Sequence, residues 1–246
     1  MQNPELVFPA ALRVTEQTID ISGLTRPQRD FYRDLFWETA EIYHRAQKPR
    51  VVVGFAGPTG AGKSVVAVLL KELARQANLP FAFEVITIDA YHYPNQFLRS
   101  HFSDGQPLKQ VKGRHDTYDV GALVRDLNAF AAGAAVAFPE YSRQLHDPVP
   151  DRIHITAPAT LLLVEGLWLL SDHGDWAQVR SRLDYCYFME AETERTREAV
   201  IRRHMNGGRT REDAARHYEA VDGRNSDLVR QTRPRADKTL PPYYSI

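Results

Sequence analysis

The octapeptide Gly57-Pro58-Thr59-Gly60-Ala61-Gly62-Lys63-Ser64 constrains this chain more tightly than any other segment. It satisfies the pattern G-x-x-x-x-G-K-[ST] and is preceded by the apolar run VVVGFAG (51–57). After it, Val66, Leu69, Leu70 and Leu73 recur at i, i+3, i+4, i+7 between Lys63 and Ala77. A buried parallel strand turning through glycines into a helix fits that order. The glycines let consecutive backbone N–H groups face a phosphate where side chains would obstruct them. The helix that follows adds the positive end of its dipole. Lys63 is placed to reach the β- and γ-phosphate oxygens, and Ser64 to offer a hard oxygen to Mg²⁺. The expected cofactors are ATP and Mg²⁺, with Gly57, Thr59, Gly60, Ala61, Gly62, Lys63, Ser64 and the adjoining Val65 around the nucleotide.

Strand and helix patterns alternate on either side of this loop. Arg26 to Gln47 reads as an amphipathic helix with Pro27 in its first turn, preceded by weak strand character at 11–21. Segments 81–89, 160–170 (in its first part) and 183–191 read as strands, and 121–133, 192–206 and 210–224 as helices. The expectation is an α/β chain with the P-loop NTPase three-layer α/β/α fold, a central parallel sheet and a helical lid. Residues 1–49 are expected to form a leader with one amphipathic helix, and 50–246 the nucleotide-binding domain with its lid at about 192–225. The aromatic set of the leader helix (Phe31, Tyr32, Phe36, Trp37, Tyr43) is expected to pack on the domain or to make a homodimer contact.

Composition narrows the function classes. Thirty-one basic and 31 acidic side chains cancel, so neither a nucleic-acid nor a membrane-surface partner is advertised. A single cysteine, Cys186, excludes an internal disulfide framework and a multi-cysteine zinc site. The N-terminal segment lacks a basic-then-apolar signal pattern and no 18-residue apolar run occurs, so a soluble cytoplasmic protein is expected. No Asn-Lys pair occurs, so the guanine-reading N-K-x-D element is missing.

Two carboxylates stand where such a sheet would present them. Asp89, within ITIDAYHYPN, ends the expected strand 81–89, at the sheet edge that carries the phosphate loop. There it is suited to orient an acceptor hydroxyl and take its proton, or, more plainly, to cap the next helix. Glu165 closes LLLVE and faces the expected metal region, as a Mg²⁺ ligand with Ser64 or simply as a strand-end carboxylate.

GFAGPTGAGKS, DAYHYPN, KGRHDTYD, PEYSRQLHD, LLLVEGLWLL and TRPRADKTL, in that order, resemble the phosphoribulokinase, uridine kinase and bacterial pantothenate kinase family over about residues 51–240. Within it the chain looks nearest to the short fructose-transport-system-kinase-like or nucleoside/nucleotide-kinase-like branch. The resemblance implies Asp89 as base, magnesium between Ser64 and Glu165, and a mobile lid. Val65 stands where the family usually has Thr or Ser, and Tyr91-His92 where pantothenate kinases carry Phe-Leu, so pantothenate does not follow as the substrate.

A small-molecule hydroxyl acceptor, such as a sugar, nucleoside or pantothenate-like compound, is expected beside Asp89. Tyr91, His92, Arg114, His115, Tyr118, Tyr141 and Arg143 are the candidates to line its pocket, a mixture suited to an anionic or polyhydroxylated ligand. His92 and His115 lack a third soft ligand at useful spacing for a metal. Thirteen arginines fall in 180–235, clustered about Asn206-Gly207-Gly208. The resemblance makes them a lid over the transferring phosphate, with Arg203 and then Arg202 the catalytic candidates; a solvated helical face paired with glutamates is the plainer alternative. Asn225 and 235–237 border the adenine by resemblance. The rival readings are a nucleotide-dependent ATPase switch and a non-catalytic nucleotide-binding module.

Overall fold

The apolar runs become the strands of one parallel sheet in the computed structural model, which describes residues 5–242. In chain order the strands are β1 (Ala11–Val14), β2 (Gln17–Asp20), β3 (Arg50–Ala56), β4 (Ala82–Thr87), β5 (Phe102–Ser103), β6 (Gln106–Pro107), β7 (Val136–Ser142), β8 (Asp147–Ile155), β9 (Thr160–Gly166), β10 (Tyr185–Met189) and β11 (Lys238–Leu240). The helices are α1 (Arg26–Ala46), α2 (Lys63–Gln76), α3 (Asn95–Ser100), α4 (Val120–Ala131), α5 (Thr193–Asn206), α6 (Arg211–His217) and α7 (Gly223–Gln231). The sheet runs β11-β10-β3-β9-β4 with every neighbouring pair parallel.

Alternation along the central strands divides the core. Val51, Val53 and Phe55 of β3, with Leu161 and Leu163 of β9, face the layer of α1 and α2. Val52 and Ala56, with Leu162 and Val164, face α4 and the β7–β8 hairpin. All seven residues of β3 and of β9 are buried, as a strand covered on both faces requires. This is the expected three-layer α/β/α arrangement.

The leader contributes to the same core. A capping box between Thr25 and Gln28 starts α1, with Pro27 in its first turn. Tyr32, Leu35, Phe36, Ala40 and Ile42 on its inner face join the cluster that contains Val51 and Leu161. Tyr43 stacks on Phe81 at 3.8 Å between ring centroids. The aromatic stripe is thus turned onto its own chain.

Four features depart from expectation. The strand expected to reach residue 89 stops at Thr87, and Asp89 sits in a 3₁₀ turn, Ile88–Tyr91. Segment 139–147, read as a polar stretch, belongs to a long hairpin, β7–β8. The helical stretch continues from α6 through a π-helical turn (Tyr218–Asp222) into α7 and reaches Gln231. A short edge strand, β11, completes the sheet. Among the described residues, no helix is long and apolar enough to cross a membrane.

Gly166 ends β9 where the backbone passes Ile88. A Cβ at Gly166 would lie 2.2 Å from Ile88 Cγ1, and Ile88 is wholly buried with no room to yield. Gly166→Ala should therefore lower stability by about 1–3 kcal/mol, as overpacked cores do. Urea unfolding checks this; a change under about 0.5 kcal/mol would show that the turn next to Asp89 yields freely.

Candidate active site

The phosphate loop forms because its backbone leaves no room for other residues. Gly57 has φ +151°, and a Cβ there would stand 2.6 Å from Met189 O; at Gly60 (φ +82°) it would meet Thr196 O at 2.8 Å. Gly62, at φ +86°, turns the chain directly into α2. Thr59 N donates to Ser226 Oγ (3.3 Å), which ties the loop to α7. Ala61 is wholly buried. Lys63 folds back onto the loop, donating from Nζ to Gly57 O and Pro58 O at 2.9 Å each. Burial pushes its pKa down to about 8, against the opposing pull of the Glu165 and Asp89 carboxylates. The Val65 side chain packs against the α1–α2 core, so only its backbone is available to a nucleotide.

Strand register brings the two carboxylates to this loop. Glu165 pairs across β9 with Phe55 of β3 on one side and Thr87 of β4 on the other. It therefore stands level with the C-terminal ends of both strands, on the rim where the loop begins and Asp89 follows. Ser64 Oγ donates to Glu165 Oε1 at 2.9 Å. Burial raises the Glu165 pKa, with the Lys63 charge pulling it back. A hydroxyl and a carboxylate this close form a hard-oxygen donor set of the kind magnesium takes. Asp89 is half-buried, and its backbone N–H is held by Thr87 Oγ1 at 3.2 Å.

Two cavities meet at Asp89. One, of about 710 Å³, lies among the β1–β2 hairpin, α2, β4 and β7, and reaches Ser64 and Glu165. The other, of about 510 Å³, opens beneath the lid and reaches Thr59, His92 and Arg203. Asp89, Tyr141 and Arg143 line both. His92 and Tyr118 also wall the second cavity, their rings 3.8 Å apart. Burial pushes His92 down to about 4, so it is neutral near pH 7. Burial also raises the phenol pKa of Tyr118 and Tyr141.

Three predicted acceptor contacts are not brought to this cavity. The buried Tyr91 hydroxyl donates to Asp126 Oδ2 (2.7 Å) within the α4 core. The Arg114 guanidinium is taken by Asp116 through Nε and Nη2 (2.7 and 2.6 Å) and by Asp104 through Nη1 (2.8 Å). His115 stacks on His173 at 4.1 Å, away from Asp89. Asn225 is buried and lines the cavity shared with Asp89, beside Gly113. In 235–237, Arg235 pairs with Asp172 (3.2 Å), and Asp237 accepts from Arg180 (2.8 Å) and from Cys186 N (2.7 Å).

The lid segment α5–α6–α7 places Arg203 on the cavity wall, 3.8 Å from Asp222, and leaves Arg202 exposed. Arg197 pairs with Glu219 and Arg211 with Glu198, so part of the arginine cluster braces the lid itself. Residues the sequence did not single out also line the cavity: Lys109, Lys112, Glu16, His204 and Asp222. His204 Nε2 and Asp222 Oδ2 lie 2.9 Å apart. Only Lys112, beside Gly113 in KGRHDTYD, carried a local signal. Glu16 carried none, because its partners Ser142, Arg143 and Gln144 are more than a hundred residues away.

Several known proteins are similar to this chain in sequence or in fold. An uncharacterized protein, YggC, of Escherichia coli (strain K12) is 38% identical over 181 residues, 73% of each chain. Pantothenate kinase of Sinorhizobium fredii is 31% identical, covering 95% of this chain and 75% of the relative. That of Agrobacterium fabrum is 32% identical over 65% of this chain but only 50% of its own length. In fold, the chain is similar to a candidate fructose transport system kinase from Silicibacter sp. TM1040 (TM-score 0.75, 22% identity, 89% of this chain and 100% of that one). It is also similar to D-glycerate 3-kinase from Cryptococcus neoformans (TM-score 0.59, 14% identity, 85% and 88%). Residues 52–242, the span that holds the phosphate loop, both rim carboxylates and the lid, match the Phosphoribulokinase / Uridine kinase family, and the chain belongs to it.

Proposed function

We propose that this protein transfers the γ-phosphate of MgATP to a hydroxyl of a small polar metabolite, such as a sugar, a nucleoside or a pantothenate-like compound. The observation that carries this reading is the position of Asp89. It walls a cavity roomy enough for a metabolite, and its charge is felt by Lys63 of the phosphate loop. The pantothenate kinase relatives support a small acceptor of this kind.

The residues divide the work as follows. Backbone amides of 57–64 cradle the donor phosphates, and Lys63 adds charge at the bridging oxygens. Ser64 and Glu165 would hold magnesium, which when bound would supply positive charge to the phosphate oxygens. Asp89 accepts the hydroxyl proton as the acceptor oxygen attacks, while Tyr118, Tyr141 and His92 fix the acceptor's orientation. Arg203 projects from the lid into the cavity, where added positive charge stabilises the transferring group. Lid closure over a bound acceptor excludes water.

A screen of sugars, nucleosides and vitamins for acceptor-stimulated ADP release tests the reading; ATP hydrolysis indifferent to every compound would instead indicate a nucleotide switch. Asp89→Asn should lower kcat by about two to four orders of magnitude, the span usual for a general base, and leave the dissociation constant of an ATP analogue within about threefold. Normal turnover in that variant removes Asp89 from the chemistry.

Lys63 gives a pH test. Its free-enzyme pKa of about 8 must rise when phosphate oxygens arrive, so binding takes up a proton. Nucleotide affinity should be full below about pH 8 and then fall as pH rises, by up to about tenfold per unit. Lys63→Arg, always charged, should flatten the slope. Calorimetry between pH 7 and 9.5 measures both, and a wild-type profile without slope contradicts the assignment.

A further inference from the structure

The cavity wall formed by the 108–113 segment and the β7–β8 turn carries positive charge and hydrogen-bonding capacity that its own partners do not use up. Lys109 and Lys112 converge on one neutral acceptor, Asn95 Oδ1, at 2.5 and 3.1 Å. Lys112 also donates to His146 O (2.6 Å) and rides 5.1 Å from the centre of the Tyr141 ring. The nearest carboxylate to Lys112, Asp147, stands 3.9 Å away and already accepts from Asn95 N at 2.8 Å. Each ammonium has three donor hydrogens, so the pair holds more donors than these carbonyl oxygens absorb. Burial first, and then the neighbouring Lys109, push Lys112 down to about 8, against the pull of the Asp147 and Asp89 carboxylates. Arg143 and Arg209 line the same cavity, and among the described residues neither makes an ion pair.

A second, independent vacancy lies beside Asp89. His92 is only 7% exposed, and its Nδ1 is 2.9 Å from Asp89 O. A carbonyl oxygen only accepts, so Nδ1 carries the proton. In the neutral ring Nε2 is then a bare acceptor, and it is buried with no hydrogen-bond partner among the described residues. A buried acceptor without a donor is costly, and an O–H or N–H of a bound molecule would satisfy it.

We propose that the acceptor is an anionic polyhydroxy compound whose carboxylate or phosphate monoester sits on Lys109 and Lys112, with a hydroxyl donating to His92 Nε2 beside the one that Asp89 deprotonates. This names the substrate class of the site above and rests on Asp89 being the base. The tail anion takes the surplus ammonium donors and offsets their mutual repulsion, while the hydroxyl donates a hydrogen bond to the unpartnered Nε2 lone pair. A neutral nucleoside or sugar would leave both lysines as they are and gain nothing from them.

Inorganic phosphate is the first probe, titrated calorimetrically into protein whose phosphate loop is saturated with Mg²⁺ and a non-hydrolysable ATP analogue. One phosphate should bind per chain. Affinity should fall at least tenfold in Lys109→Met/Lys112→Met, yet persist in Lys109→Arg/Lys112→Arg and in Asp89→Asn, with affinity for the ATP analogue unchanged in all three. No saturable binding, or binding indifferent to loss of the lysines, overturns the proposal. The second probe is acceptor-stimulated ADP release with three- to six-carbon polyols, each supplied as the neutral compound, the carboxylate and the phosphate monoester. Charged members should exceed their neutral counterpart at least tenfold in kcat/KM, and whichever charged form leads identifies the anion. Preference for the neutral forms overturns the proposal. Lysine-dependent phosphate binding with no acceptor-stimulated turnover would sink the kinase reading and leave the anion site standing.

Discussion

The parallel register of β3, β9 and β4 is the constraint on which the rest of this structure depends. It sets Phe55, Glu165 and Thr87 abreast, so three strands end on one rim. From that rim the chain departs three ways: into the phosphate loop, past Gly166, and into the turn that holds Asp89. β3 and β9 are buried along their whole length and β4 in part, and a one-residue slip would send their apolar side chains to the wrong layer. Chemistry at the rim thus inherits its geometry from the packing beneath it.

The parts of the site that the sequence made legible are those whose partners lie close along the chain. The phosphate loop declares itself because glycine, lysine and serine must stand at fixed offsets between a strand and a helix. Glu165 and Asp89 could be placed because apolar runs end just before them. Lys109, Lys112 and Asn95 stayed hidden because they become one cluster only when α3, the 108–111 turn and the β7–β8 turn fold together. That hairpin was itself concealed by Pro139, Pro148 and Pro150, which argue against a strand when read singly.

The misplaced candidates are equally instructive. Arg114 looked free in KGRHDTYD, yet Asp116 stands two residues on and takes its guanidinium in a fork. Tyr91 neighbours the base in sequence but points into the α4 core, because a 3₁₀ turn brings i and i+3, here Asp89 and His92, onto one side. His92 faces the cavity from that same turn. Adjacency along the chain therefore mispredicts which of these side chains meets a ligand, whereas the direction of the backbone decides it.

The β1–β2 hairpin has a consequence that concerns how such proteins diversify. Its tip residue Glu16 accepts hydrogen bonds from Ser142 Oγ, Arg143 N and Gln144 N, at 2.7, 2.7 and 3.1 Å. The β7–β8 turn carries Arg143 and Gln144 on the wall of the cavity at Asp89, whereas Glu16 lies before residue 52, outside the span that matches the family. The far wall of the cavity thus takes part of its shape from the leader. A change at Glu16 can therefore reshape the cavity at Tyr141 and Arg143 while residues 57–64 stay as they are.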